Sequence, residues 1–233
     1  MTAPTVSGLL RRAGEWLVEP APELARLDTP PLAVPPRSYP LVGVVGLARR
    51  CGSTTIARAL AAELGSRHGG AAVVASSARP AVVPLGSSAA AAHLAETLAQ
   101  LDERRAAGRL CLAACADAEL LACAAREVAP AVMEVEPGST ALDAARVLDR
   151  IVLVASPGLE PALAGAVAET IAAAGESPVV AVNRASDHGP WLVNADVLVP
   201  DSRVGARLAL AGREARGWLG RAVEQLADLC APG

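Results

Sequence analysis

The chain has 233 residues, enough for one sizeable α/β domain with an appended arm, and 52% of them are hydrophobic, chiefly Ala, Val and Leu. A formal net charge of −3 argues against a general nucleic-acid binder, and no run of like charge is long enough for an interaction tail. All 21 basic residues are Arg, which excludes Schiff-base chemistry and any phosphate site built on lysine.

In chain order, the first predicted element is a short amphipathic helix. Val6, Leu9, Leu10, Ala13, Trp16 and Leu17 recur at helical spacing, with Arg11, Arg12 and Glu15 on the other face. Pro20, Pro22, Pro30, Pro31, Pro35, Pro36 and Pro40 then make a stiff, extended connector. Residues 1–40 are therefore read as an arm, and 41–233 as one α/β domain. Such an arm packs on its own domain, docks on a protein partner, or lies on a membrane surface. No basic region followed by an apolar run marks a signal peptide, and no stretch is apolar enough to span a membrane. Cys51, Cys111, Cys115, Cys123 and Cys230 form no C-x-x-C pair, so a reducing cytoplasm is expected, with the middle three packed as small hydrophobes.

From Leu41 the pattern alternates. LVGVVG (41–46) is a buried strand, and 54–64 a helix stopped by Gly65. Strands follow at 71–76 and 81–85, a helix at 89–106, a strand at 109–115, and a helix capped by Asp117 running to Ala129. Further strands are expected at 131–136, 150–155, 178–183 and 195–200. Helices are expected at 140–148, 160–174, 202–212 and 217–230, the last burying Leu219, Val223, Leu226 and Cys230. This alternation predicts an α/β fold, a mostly parallel sheet with helices on both faces. His68, His93 and His188 are isolated and read as structural or exposed.

The segment VGVVGLARRCGSTTIARAL has the layout of a phosphate-binding loop: a strand, a loop with Gly, then Ser/Thr opening a helix. Free backbone N–H groups and the positive helix end face an anion in that layout. The stretch resembles the MinD/ParA family of P-loop ATPases, whose loop reads K-G-G-x-G-K-T-T. Gly52, Ser53, Thr54 and Thr55 then lie over G-K-T-T. Ser53 stands where the phosphate-binding lysine belongs, Ala48 at the signature lysine, and Arg49 and Arg50 at the two glycines.

Later segments continue the resemblance in order. VMEVEPGST offers Glu134 where the family has the Asp of D-x-P-x-G. IVLVASPGLEPAL is similar to its next strand and helix. VVAVNR supplies Asn183, the family's adenine contact, and VLVPDSRVGARLALAG supplies Pro200 and Asp201. The family's Asp after the second strand, which activates water, is replaced by Ser76 or Ser77.

The resemblance implies ATP with Mg²⁺ as cofactor, the nucleotide on Arg49, Arg50, Gly52, Ser53, Thr54, Thr55, Asn183 and Pro200, and the metal on Thr54 and Glu134. It also implies a homodimer. The residues themselves leave alternatives open. Gly52, Thr54 and Thr55 make either a turn into a capped helix or a phosphate cradle. Arg49 and Arg50 are either solvated or substitute phosphate clamps. Glu134 is either a metal ligand or a strand-end carboxylate, and Asn183 either a turn residue or a base contact. With both lysines and the Asp missing, the expected function is a non-catalytic scaffold or regulator acting on protein partners. The competing expectation is a switch ATPase that uses Arg in place of lysine.

Overall fold

A strand buried on both faces must be apolar on both, and the runs from Leu41 onward meet that condition. The structure, a computed structural model, describes residues 39–68, 72–77, 111–115, 129–175, 177–185 and 189–231. Within them the chain forms β1 (Leu41–Gly46), α1 (Ser53–Arg67), β2 (Val73–Ser77), β3 (Cys111–Cys115), β4 (Ala131–Val135), α2 (Ser139–Ala144) and β5 (Arg150–Ala155). It continues through α3 (Pro161–Ala172), β6 (Val179–Ala185), a 3₁₀ turn (Pro190–Val193), β7 (Val197–Pro200), α4 (Arg203–Leu210) and α5 (Gly217–Cys230). The strands make one sheet in the order β3-β2-β4-β1-β5-β6-β7, and every pairing is parallel. The short strand β7 is one edge.

Alternation along the strands divides the core into two layers. Val42 and Val44 of β1 and Val152 and Val154 of β5 meet α1, α4 and α5 through Ile56, Leu60, Ala209 and Leu226. Leu41, Val45, Ile151 and Leu153 point the other way, onto Ala141 and Ala144 of α2, Ala164 and Ile171 of α3, and Trp191. With no Phe in the chain, the largest fully buried side chains among the described residues are Leu and Ile, and Ala57, Ala59 and Ala61 are buried around α1. Cys230 is part of this packing; burial pushes its thiol up to about 12, so it is inert as a nucleophile.

The sheet flanked by helices on both faces is as the sequence predicts. Gly65 is a correction: it does not stop α1 but lies buried inside it. The extra turn is held from outside, since Arg67 bonds Glu63 at 2.7 Å and Asp228 of α5 at 2.6 Å. The four core positions expected in the last helix are all buried. The strand expected at 81–85, the helix at 89–106, the Asp117-capped helix and the side chains of Cys111, Cys115 and Cys123 lie outside the described residues, as does the arm up to residue 38. No helix among the described residues is long and apolar enough to cross a membrane. A chain lacking residues 1–36 is expected to keep one cooperative thermal transition by circular dichroism, because the Pro-rich connector has little capacity for core contacts. Loss of that cooperativity would make the arm part of the core.

Candidate functional site

β1 and β4 are neighbours, paired with Val44 opposite Glu134, yet the chain leaves them in opposite directions. From β1 it passes through α1 to β2, on the β4 side; from β4 it passes through α2 to β5, on the far side of β1. A crevice opens at the carboxyl ends of two such strands, the position where open α/β sheets bind ligands. The loop 47–52 and the end of β4 border it.

That loop is tied at several points. Leu47 N–H donates to Val154 O at 2.9 Å, and Cys51 N–H closes a turn onto Ala48 O at 3.3 Å. Gly46 is required at the end of β1, because a Cβ there would lie 2.9 Å from both Cys51 Sγ and Ser53 Oγ. Gly52 is the N-cap of α1 at φ 90°, a left-handed conformation suited to glycine, and no side chain caps the helix. The first-turn N–H groups therefore have neither intrahelical partners nor a side-chain cap. α4 differs: the Ser202 hydroxyl accepts from Gly205 N–H at 3.0 Å. The turn into α1 is thus made without a side-chain cap.

The loop is latched from β6. The buried Asn183 amide, 8% exposed, donates to Cys51 O at 2.8 Å. Arg184 donates to Arg50 O at 2.6 Å. The register of β6 against β7 slips between Asn183 and Ala185, so Arg184 is the extra residue of a bulge, at φ 60°. Bulges of this kind re-aim a side chain beside a site. Arg50 also has φ 60°. Two non-glycine residues in the left-handed region thus meet through one hydrogen bond, and such conformations cost about 1–2 kcal/mol each.

On the other side of the loop, the Thr54 hydroxyl donates to Glu134 Oε2 at 3.0 Å. Burial raises the Glu134 carboxyl above its ordinary value of 4.5; the Thr54 bond and the Arg58 charge pull the other way. The folded state then holds this proton more tightly than the unfolded chain. Its share of stability is full below pH 4.5 and declines as pH rises through the folded-state value. Glu134→Gln is expected to lose that decline, which urea unfolding of both proteins from pH 4 to pH 8 would reveal. Parallel stability–pH curves for the two proteins would count against it.

The predicted site residues all surround the start of α1, in two groups. Arg49, Arg50, Ser53 and Glu134 line one cavity of about 500 Å³, with Glu136 and Pro137. Gly52, Thr55, Asn183 and Pro200 line a second, of about 360 Å³, with Arg184 and Asp201. Thr54 reaches the first group through Glu134. Sequence reasoning missed Arg58, whose guanidinium donates to Leu210 O at 3.1 Å, and the loop-holding part of Arg184. Arg58 was open to detection as the residue one turn beyond Thr54 on the same helix face. The bulge that turns Arg184 had no such signal.

No protein-family model matches the chain, and no curated protein is similar to it in sequence. Among solved structures it is similar to a plasmid partition protein from Borrelia burgdorferi B31 bound to AMPPNP. The TM-score is 0.54 at 9% identity, over 82% of this chain and 98% of that one. It is similar, more loosely, to the kinase domain of the Escherichia coli tyrosine kinase ETK, with a TM-score of 0.42 at 18% identity over 65% of this chain and 71% of that one. The second likeness is too loose to add to the first, and the first concerns the fold alone. The chain shares that protein's fold, a parallel sheet flanked by helices on both faces.

Proposed function

We propose that this chain is a ParA-like P-loop protein working as a non-catalytic scaffold or regulator, with weak nucleotide binding or none. The observation that carries the reading is Ser53. It opens α1 at the position of the family's phosphate lysine, and its short side chain lies back against Gly46. No lysine elsewhere in the chain can stand in for it.

The residues fit the two parts of Mg-ATP unequally. Thr54 and Glu134 are oxygen donors 3.0 Å apart, the ligand type Mg²⁺ takes, and they are the residues that would hold it. The uncapped turn of α1 offers N–H groups to a phosphate. In the cavity beside it Arg49 and Arg50 share the lining with Glu134 and Glu136, which offsets part of their attraction for an anion. Asn183, the family's base contact, has its amide committed to Cys51 O. When bound, the nucleotide supplies an outer phosphate whose loss drives switching in this kind of site. What the chain's own residues do is hold the loop: Asn183 and Arg184 fix its carbonyls, and Thr54 pairs with Glu134.

One observation favours a second reading, a switch ATPase with Arg49 or Arg50 replacing lysine: both arginines line the cavity with Glu134. Sedimentation with and without Mg-ATP separates the two. Any dimer is expected to form independently of nucleotide, because Ala48 occupies the position of the lysine that reaches the partner's phosphates in the resembling family. A monomer that becomes a dimer on adding Mg-ATP would instead support the arginine-built switch.

A further inference from the structure

A helix on the surface of a sheet normally turns charged residues outward. α5 does so, with Arg221, Glu224 and Asp228 exposed and Leu219, Val223 and Leu226 buried. α3 does not. Ala164 and Ile171 face the sheet, yet the outward side carries Ala162, Leu163, Ala166 and Val167, with Glu169 as the only charge in the helix. Leu163 is 56% exposed and Val167 38%. Thr170 adds little polarity, since its hydroxyl donates inward to Ala166 O at 2.8 Å. Leu192 and Val193, 53% and 87% exposed, sit on the 3₁₀ turn, which Trp191 joins to the segment before α3 by a bond to Pro157 O at 3.4 Å. A helix that is apolar all round belongs beneath another element.

We propose that the occupant of this face is the chain's own N-terminal segment, residues 6–17. Its apolar stripe of Val6, Leu9, Leu10, Ala13, Trp16 and Leu17 has no other assigned surface. An isolated helix of this length is marginal in water and needs a surface to form on. It would measure about 18 Å, and so does α3 with its 12 residues. Ala162 and Ala166 allow close approach.

The point where the chain joins the domain agrees. Leu41 N–H donates to Asp149 at 2.8 Å, and Leu41 packs in the same core layer as Ala164 and Ile171. The end of α3 is close by: a Cβ on Gly175 would lie 3.0 Å from Ala145 O, at the close of α2 just before Asp149. Residues 18–38, extended at about 3.1 Å per residue, reach about 65 Å, far more than the helix length to be spanned.

Hydrogen exchange on the full chain, read by mass spectrometry, tests this. In Leu9→Asp/Trp16→Asp the amides of residues 162–172 are expected to exchange at least about tenfold faster, which corresponds to about 1.4 kcal/mol of docking. β1 and β5 should be unchanged. Val167→Asp should speed exchange over residues 6–17 in return, and its replaced side chain is exposed, so the fold is not at risk. Unchanged exchange of α3 in the arm variant overturns the proposal. So does α3 protection that rises with protein concentration, which would make a second copy the occupant.

Discussion

Phosphate release from Mg-ATP or Mg-GTP by the purified full chain is expected to stay at the protein-free background. A phosphoryl-transfer site works almost wholly by positioning and charge stabilisation. A lost charge-assisted contact costs about 1.5–3 kcal/mol. At about 1.4 kcal/mol per tenfold, each missing lysine weakens phosphate holding by roughly 10- to 100-fold. Ser53 and Ala48 stand at two such positions. The strand-end Asp that activates water in the resembling family is also missing; Ser76 pairs beside Glu134 there. Glu134 is a weak substitute, because burial favours its neutral form. Arg49 and Arg50 can restore some charge at the cavity but not the carboxylate. The control is Arg49→Ala/Arg50→Ala. Turnover that disappears in the double variant would sink the non-catalytic reading and promote the arginine-built switch.

A single methyl group at Gly52 is expected to destabilise the chain by about 2–5 kcal/mol. Two costs add. A non-glycine residue in the left-handed region costs about 1–2 kcal/mol, and Gly52 sits at φ 90°. The new Cβ would also overlap the Asn183 amide nitrogen, so the bond to Cys51 O must break or shift. Leaving such a buried group unpaired costs about 1–3 kcal/mol. The two costs separate in a double-mutant cycle. In an Asn183→Ala background, Gly52→Ala should cost only the backbone part, because the overlapping amide is gone. Urea unfolding of the four proteins reads this directly. Strict additivity of the two substitutions would mean that the latch is not what fixes the loop.

The elements that sequence made legible are those whose pattern is local. β5 is an unbroken apolar run after Arg150 and α5 repeats its apolar residues at helical spacing, and both were bounded correctly from these local patterns. The end of α1 was not, because what extends it past Gly65 is Arg67 reaching Asp228, 161 residues away. The site divides in the same manner. Ser53, Thr54 and Thr55 were legible because a strand, a glycine and a helix start surround them. Asn183 and Arg184 were legible as a strand end, but their bonds to the loop run over 132 and 134 residues. The bulge that aims Arg184 depends on the slip of β6 against β7. No window of sequence contains both strands' registers.

The β7 edge bears on how the chain behaves at high concentration. An open strand edge is a template on which a second chain can add, and prolonged addition leads to fibres. Here the edge strand has four residues and ends in Pro200, which has no N–H to offer. At its start, Asp196 O accepts a bond from Gln225 Nε2 at 3.2 Å. An incoming strand would find few rungs on this side. A net charge of −3 gives the copies of this half-hydrophobic chain a modest mutual repulsion. The shortness of β7 and its proline add to it, on this edge, a protection that does not weaken with salt.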